Sequence, residues 1–141
     1  MGKLSMNQPA KRRTPTTPED WITHALSDFK LAQLGKENED VLHEQTCFHT
    51  QQAVEKALKA VLLFCKIDFP LTHDLEELID ILEKAGISLP PEIMDIGILT
   101  PYAVETSYPG HWEEITMHDV EEAISLAENV LKWTEEYIKK R

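Results

Sequence analysis

The clearest helical pattern in the chain runs from His43 to Lys66, HEQTCFHTQQAVEKALKAVLLFCK, a stretch without Gly or Pro. Its apolar residues recur at intervals of three and four, which is the spacing of one face of an α-helix. They are Phe48, Val54, Ala57, Leu58, Val61, Leu62 and Cys65. The other side of this segment is polar. The pattern therefore predicts one long amphipathic helix with a buried face and a polar face.

Three further segments show helical periodicity, and each begins or ends at a residue typical of a helix terminus. The first opens at Thr17 and ends near Gly35, and the next follows Thr72, which can cap it, and stops at Gly86. The last begins at Thr116, and Asp119 follows three residues later, which is the spacing of a capping box. These three and the long helix make four main helices.

Prolines interrupt the pattern between the third and the last of these helices. We expect a short helix from Glu92 to Leu99 and a second short piece from Tyr102 to Glu105, followed by a turn at Ser107-Tyr108-Pro109-Gly110. No segment alternates apolar and polar residues as a half-buried strand does. The chain is thus predicted to be all-α, an antiparallel up-and-down bundle of four main helices plus one or two short ones.

Composition and charge narrow the class of protein. The 141 residues, 42% hydrophobic and 28% charged, suit one globular domain, and no apolar run is long enough to cross a bilayer. We therefore expect a cytoplasmic protein without membrane contact. Residues 1–17 hold four basic residues and no acid, and we expect a disordered basic tail. Residues 18–141 hold ten basic and 25 acidic residues, a net charge of −15. This charge argues against broad, non-specific nucleic-acid binding.

Disulfide and metal chemistry are not expected. Cys47 and Cys65 lie on one helix, about 27 Å apart along its axis, so they cannot pair within one chain. They fit the apolar stripe as small core residues of a reducing compartment. His111, Glu114 and His118 straddle a turn and a helix start rather than sharing a helix face. We predict neither a metal nor a cofactor.

Three motifs of the chain resemble those of HEPN-domain proteins and occur in the same order. They are CFHTQQAVEKALKA at Cys47–Ala60, FPLTHDL at Phe69–Leu75 and LTPYAVETSYP at Leu99–Pro109. The resemblance covers about residues 18 to 138, nearly the whole domain. It implies an antiparallel helical bundle that usually forms a homodimer.

The resemblance also implies a range of functions. Many family members act beside a small nucleotidyltransferase protein in toxin–antitoxin-like systems, and the family name reflects a proposed nucleotide-binding role. A large subset are metal-independent ribonucleases, which resemble one another in an Arg followed, after four to six residues, by a His. In that motif His transfers protons and Arg stabilises charge on the phosphate.

The chain departs from the ribonuclease motif. Its only arginines are Arg12, Arg13 and Arg141, and none has a His at the required distance. Ser107 stands before Tyr-Pro, where many relatives have Arg, and Ser supplies no fixed positive charge. Ribonuclease activity of the usual kind is therefore not expected.

One group of candidate ligand-binding residues lies on the long helix. His49, Gln52 and Lys56 form a polar strip at spacings of three and four. The strip has two interpretations: a ligand site, or a helix face that is solvated or hydrogen-bonded to another helix. Glu55 and Lys59, four residues apart, are expected to form a modest ion pair.

A second group of candidates surrounds the start of the third helix. His73 and Asp74 lie where free backbone N–H groups favour an anion, although these residues also suit a simple helix start. The functional interpretation places His73 in one groove with Tyr102, Glu105 and Tyr108. All of them are predicted as ligand-binding residues rather than catalytic ones.

The sequence thus predicts a non-catalytic HEPN-like binding module, homodimeric, which acts with a nucleotidyltransferase-type partner or binds a nucleotide-like anion. One alternative is a metal-independent ribonuclease toxin with non-standard residues, in which Lys66 and His73 replace Arg and His and RNA is the substrate. A second alternative is a purely structural protein-interaction module.

Overall fold

The computed structural model describes residues 17–103 and 114–140. Its elements in chain order are helix α1, Pro18–Lys36; helix α2, His43–Phe64; helix α3, Leu75–Lys84; a 3₁₀ segment, Pro91–Ala103; and helix α4, Met117–Lys139. The described residues contain no strand, and the predicted all-α bundle is confirmed. The predicted tail and the Ser107–Gly110 turn lie outside the described residues, apart from Thr17.

Helices α1 and α4 begin at the caps that the sequence predicts. The Thr17 hydroxyl accepts a hydrogen bond from the backbone N–H of Asp20 at 3.0 Å. At α4, Thr116 and Asp119 form a reciprocal capping box, with donor–acceptor distances of 2.9 and 3.2 Å. The backbone N–H of Thr116 donates to the Asp119 carboxylate and lowers the pKa of that group.

The start of α3 differs from the prediction. The predicted cap, Thr72, accepts instead from the backbone N–H of Asp74, and Asp74 is the residue that caps the helix by accepting from Glu76 N–H at 3.0 Å. The helix therefore starts two residues later than Thr72 indicates, because an ionised Asp is a strong cap beside the positive helix end. The predicted stop is confirmed: Gly86, just beyond the helix, has a φ of +86°.

Helix α2 is the centre of the bundle and packs against α1, α3, α4 and the 3₁₀ segment. Its fully buried apolar side chains are Cys47, Ala53, Val54, Ala57, Leu58, Ala60, Val61 and Leu62. Burial of one Leu or Val side chain stabilises a fold by about 1.5–3 kcal/mol, so this face holds the bundle together. Phe48 and Cys65, predicted on the same face, are only half-buried.

The two predicted short helices are one continuous 3₁₀ segment as far as Ala103. Its residues Ile93, Ile96 and Leu99 are buried against α2 and α4. Gly97 faces α3 so closely that a Cβ there would lie 2.6 Å from Cγ of Glu76. The glycine therefore lets the 3₁₀ segment approach α3.

Only part of the polar face of α2 is open to solvent. Several of its polar side chains are buried, namely Thr46, Thr50, Gln51, Glu55 and Lys59. Helix α1 covers this face, and the loop before α3 closes one side of it. Polar groups buried in this way need partners within the protein, and these partners build the candidate site.

Candidate functional site

Asp28 of α1 joins two members of the predicted strip. Its Oδ1 lies 3.0 Å from Nδ1 of His49, and its Oδ2 accepts a hydrogen bond from the Lys56 ammonium at 2.6 Å. His49 and Lys56 are two helical turns apart, so both face α1. The Asp28 side chain is only 14% exposed. We call this set the Asp28 cluster.

Glu55 is the centre of a second set, the Glu55 cluster. Its Oε2 accepts from the Lys59 ammonium at 2.8 Å, and its Oε1 lies 2.9 Å from Nδ1 of His73 and accepts from the Gln51 amide at 3.1 Å. The predicted ion pair is confirmed, but it is buried, with the side chains of Lys59 and Glu55 exposed by 7% and 5%. Several hydrogen bonds offset the desolvation of these two charges.

Glutamine side chains extend the Glu55 cluster. The Gln52 amide donates to the side-chain oxygen of Gln51 at 2.7 Å, and the Gln51 amide also lies 3.2 Å from the backbone carbonyl of His73. Gln52, predicted as a ligand-binding residue, is thus part of the internal network. Its neighbour Gln51 is fully buried.

Two aromatic rings enclose the Lys59 ammonium. Its nitrogen lies 5.8 Å from the ring centroid of Trp21 and 5.8 Å from that of Phe69. The rings meet edge to face at 6.5 Å. Cation–π attraction at these distances adds to the ion pair, so Lys59 is committed to the fold.

His73 is the most accessible group of the Glu55 cluster, with 59% of its side chain exposed. The helix start beside it is occupied by protein groups: the Leu75 N–H donates to the Thr100 hydroxyl at 3.1 Å, and the next N–H donates to Asp74. Asp74 therefore serves as the α3 cap. The imidazole of His73 remains accessible beside this helix start.

Tyr102 bonds to a different residue of α2 from those that hold His73. It shares a hydrogen bond with Cys47, and burial raises the pKa of the Cys47 thiol from 9.0 to about 12 and that of Tyr102 from 10.0 to about 12. Cys47 precedes Gln51 by one turn, so Tyr102 and His73 contact neighbouring turns of α2. The other two residues of the predicted groove, Glu105 and Tyr108, lie outside the described residues.

Two other features of the described part of the chain bear on function. No three His, Cys, Asp or Glu side chains of residues 17–103 and 114–140 are grouped to hold a metal ion. His111, one of the three residues considered for a metal, is not among them. No helix in these ranges is long and apolar enough to span a membrane.

The fold defines an antiparallel helical bundle whose central helix carries a buried polar network. Residues 18–137 match the family model of the HEPN domain, and the protein belongs to the HEPN-domain family.

Two solved structures are similar to the chain. The crystal structure of ST0689, an archaeal HEPN homologue, has 28% sequence identity and a TM-score of 0.69, covering 88% of this chain and 99% of that one. The crystal structure of TT1696 from Thermus thermophilus has 26% identity and a TM-score of 0.70, covering 84% and 96%. No curated protein is significantly similar. The predicted family is confirmed.

Sequence reasoning did not identify Gln51, Asp28 or Trp21 as members of the polar network, and it found the Glu55–Lys59 pair without its link to His73. Gln51, Glu55 and Lys59 follow one another at intervals of four, a spacing that could have indicated a hydrogen-bonded row. Trp21 and Asp28 are seven residues apart on α1 and thus share a face. Which α2 residues they meet depends on how the two helices pack.

Proposed function

We propose that the domain is a non-catalytic HEPN binding module. In this proposal it forms a homodimer, acts with a small nucleotidyltransferase-type partner in a toxin–antitoxin-like system, and presents His73 to a nucleotide-like anion. One observation carries the proposal: both lysines of the α2 polar network are paired with carboxylates, while His73 remains largely exposed.

The pairing of the lysines favours binding over catalysis. Lys56 neutralises Asp28, and Lys59 neutralises Glu55 inside an aromatic enclosure. Stabilising a phosphoryl transition state requires a positive group aimed at the developing charge. A lysine held by a carboxylate at 2.6 or 2.8 Å contributes little net charge to such a task.

His73 is suited to contact an anion. Glu55 holds its Nδ1, so the ring has a fixed orientation, and the exposed edge carries Nε2. A protonated ring donates from Nδ1 to Glu55 and from Nε2 to a ligand oxygen. The acidic charge of the domain opposes anions, so we expect modest affinity unless a partner adds positive groups.

Exposed apolar side chains support a protein partner. Leu71, two residues before His73, is fully exposed, and Met94 and Ile98 of the 3₁₀ segment are exposed by 41% and 52%. Side chains of this kind are commonly buried when proteins associate.

A nucleotide titration tests the ligand part of the proposal. AMP and ATP are added to the wild type, to His73→Ala and to a matched control, His118→Ala, which removes an exposed histidine at the start of α4. We expect a rise in the melting temperature for the wild type and the control, and a smaller rise for His73→Ala. Equal shifts in all three proteins would contradict a role for His73.

Co-expression with the product of the neighbouring gene tests the partner part. We expect that gene to encode a small nucleotidyltransferase, which co-purifies with this chain, and we expect the chain alone to have the mass of a dimer in light scattering. A neighbour of another class, with no complex, contradicts the partner assignment.

A ribonuclease is the second candidate, because Glu55 and His73 form a carboxylate–imidazole pair. Such a pair orients an imidazole for proton transfer. Incubation of total RNA with the wild type and His73→Ala distinguishes the two functions. Cleavage that the substitution abolishes would establish the enzyme, and no cleavage favours the binding module.

A further inference from the structure

One face of helix α1 is left uncovered by the bundle near the end of the helix. Lys30, Leu34 and Glu37 follow one another at intervals of four and three along the helix and its C-cap, so they lie on one face. All three are exposed, and Leu31 beside them is exposed as well. The exposed fractions of Leu34 and Leu31 are 57% and 49%. Adjacent apolar side chains of this kind mark surfaces where proteins associate.

A cavity of about 230 Å³ opens beside these leucines, where α1 ends and α2 begins. Leu31, Leu34 and Gly35 line it from α1, and Val41 lines it from the link to α2. The two exposed leucines and the cavity therefore form one surface, which we call the α1 patch. A surface that has a protruding apolar side chain next to a cavity can be complementary to a second copy of itself.

The α1 patch is uncharged although the domain is acidic. The described residues that line the cavity include no Lys, Arg, Asp or Glu, whereas residues 18–141 hold ten basic and 25 acidic residues. A basic partner would be expected at a surface rich in carboxylates, because opposite charges steer and hold such complexes. A partner that is itself strongly acidic needs a contact surface without carboxylates, because like charges repel each other across an interface. A second copy of this chain is such a partner.

The charges beside the α1 patch fit an antiparallel pairing of two α1 helices. Lys30 lies one turn before Leu34, and Glu37 lies one turn after it. A two-fold axis next to Leu34 reverses the direction of the second helix, so Lys30 of each copy faces Glu37 of the other. The acidic links that follow α1, residues 37–40, then lie at opposite ends of the contact. Among the described residues, neither Lys30 nor Glu37 has an ion-pair partner within the chain.

We propose that two copies of this chain associate through the α1 patch, with their α1 helices antiparallel about a two-fold axis next to Leu34. Leu34 of each copy enters the cavity of the other, and Lys30 and Glu37 form an ion pair at each end of the contact. The homodimer belongs to the proposed function, on which this interface rests. One helix and its link make a small interface, so we expect a weak dimer that dissociates on dilution.

Sedimentation velocity over a range of protein concentrations tests the surface. Leu34→Glu is compared with Ile98→Glu, which places the same charge at a 52% exposed residue of the 3₁₀ segment. We expect the dissociation constant of the dimer to rise at least about tenfold for Leu34→Glu, because two carboxylates then meet beside the axis, and to stay within about twofold of the wild-type value for Ile98→Glu. Both positions are exposed enough for the variants to fold, which circular dichroism verifies.

The possible results distinguish this interface from the homodimer itself. A wild-type dimer that Leu34→Glu leaves intact would overturn the interface and leave the homodimer standing, and loss of a co-purifying nucleotidyltransferase in that variant would assign the α1 patch to the partner instead. A wild type that is monomeric at every concentration would overturn both. Dissociation by Ile98→Glu alone would place the interface on the 3₁₀ segment and would also overturn the proposal.

Charge reversal tests the antiparallel arrangement. Lys30→Glu and Glu37→Lys each place like charges opposite one another, so we expect each to raise the dissociation constant about fivefold at low salt. The double variant restores opposite charges, and its dissociation constant should return to within about twofold of the wild-type value. Lys132→Glu, at an exposed position of α4, is the matched control for the change in net charge and should have little effect. A double variant that dimerises no better than the single ones would overturn the antiparallel pairing.

Discussion

The Asp28 and Glu55 clusters solve the same electrostatic problem at different depths. Each has a carboxylate, a lysine and a histidine, and each links α2 to another part of the chain. In the Asp28 cluster all three side chains keep some solvent contact, 14% to 29%. In the Glu55 cluster the carboxylate and lysine are nearly dry, while the histidine is 59% exposed.

This difference in burial separates two roles: ion pairs that stabilise the fold, and an exposed histidine that is accessible to a ligand. Solvent reaches the Asp28 carboxylate and screens its charge, so water can take the place of a lost partner. Water does not reach Glu55 and Lys59 in this way. Removing one of them leaves the other as a buried charge without a partner, which is strongly destabilising. Because Glu55 is fixed in this way, it gives the exposed His73 ring a rigid support. The deeper cluster thus combines the more costly ion pair with the more available imidazole.

The largest predicted effect is that of Glu55→Ala. The substitution leaves the Lys59 ammonium buried without its carboxylate, and we expect a loss of about 3–5 kcal/mol in the free energy of unfolding. Urea denaturation measures it, with the exposed Glu83→Ala as control at below about 0.5 kcal/mol.

Replacing both charges of the Glu55–Lys59 pair tests whether the loss comes from the unpaired lysine. The double variant Glu55→Leu/Lys59→Met should recover most of the stability, because a well-packed apolar pair avoids the desolvation of two ions. A loss below about 1 kcal/mol for Glu55→Ala alone would remove the contrast between the clusters.

Asp28→Asn should have an intermediate effect. The amide keeps the shape and loses the charge that holds Lys56 and His49, so we expect a loss of about 1–2 kcal/mol in the free energy of unfolding. The loss should shrink when salt is added, since all three side chains are partly solvated. The control is Asp80→Asn on the exposed side of α3. An effect as large as that of Glu55→Ala would contradict the difference in depth.

The smallest predicted effect concerns an uncharged pair that links α2 to the 3₁₀ segment, Cys47 and Tyr102. Burial raises the pKa of Cys47 from 9.0 to about 12, so above pH 9 the unfolded chain loses a proton that the folded chain keeps. Stability is complete below this range and falls as the pH rises towards 12. At about pH 10 the wild type should lose about 1 kcal/mol more than Cys47→Ser, relative to pH 8.

Urea denaturation at the two pH values measures this difference, with Cys65→Ser as the control that keeps the buried thiol. An equal loss in the wild type and Cys47→Ser would show that Cys47 ionises as easily in the folded protein as in the unfolded chain.

Most helix positions could be predicted because their signals are local. Thr17 and Thr116 cap helices with groups three residues away, and Gly86 tolerates the left-handed backbone at a helix end. The cap of α3 was harder, because Thr72 and Asp74 are both good caps and only the folded chain selects Asp74. The pairing of Glu55 with Lys59 was also local, at a spacing of four residues.

The candidate site was predictable only in its residues, not in its contacts. His49, Lys56 and His73 appeared as candidates because of their type and spacing. Their partners Asp28 and Glu55 come from positions 21, 28 and 18 residues away in sequence, and no periodicity indicates such pairs.

The sequence alone determined the helical class, the HEPN family and the central place of α2, because amphipathic periodicity, caps and motifs are all short-range properties. Tertiary structure alone decided which polar side chains of α2 are buried and which lysines are neutralised. These properties depend on the rotation and depth at which α1 packs on α2. Rotation of a helix about its axis exchanges solvated side chains for buried ones, and the interatomic distances that set their electrostatics exist only after packing.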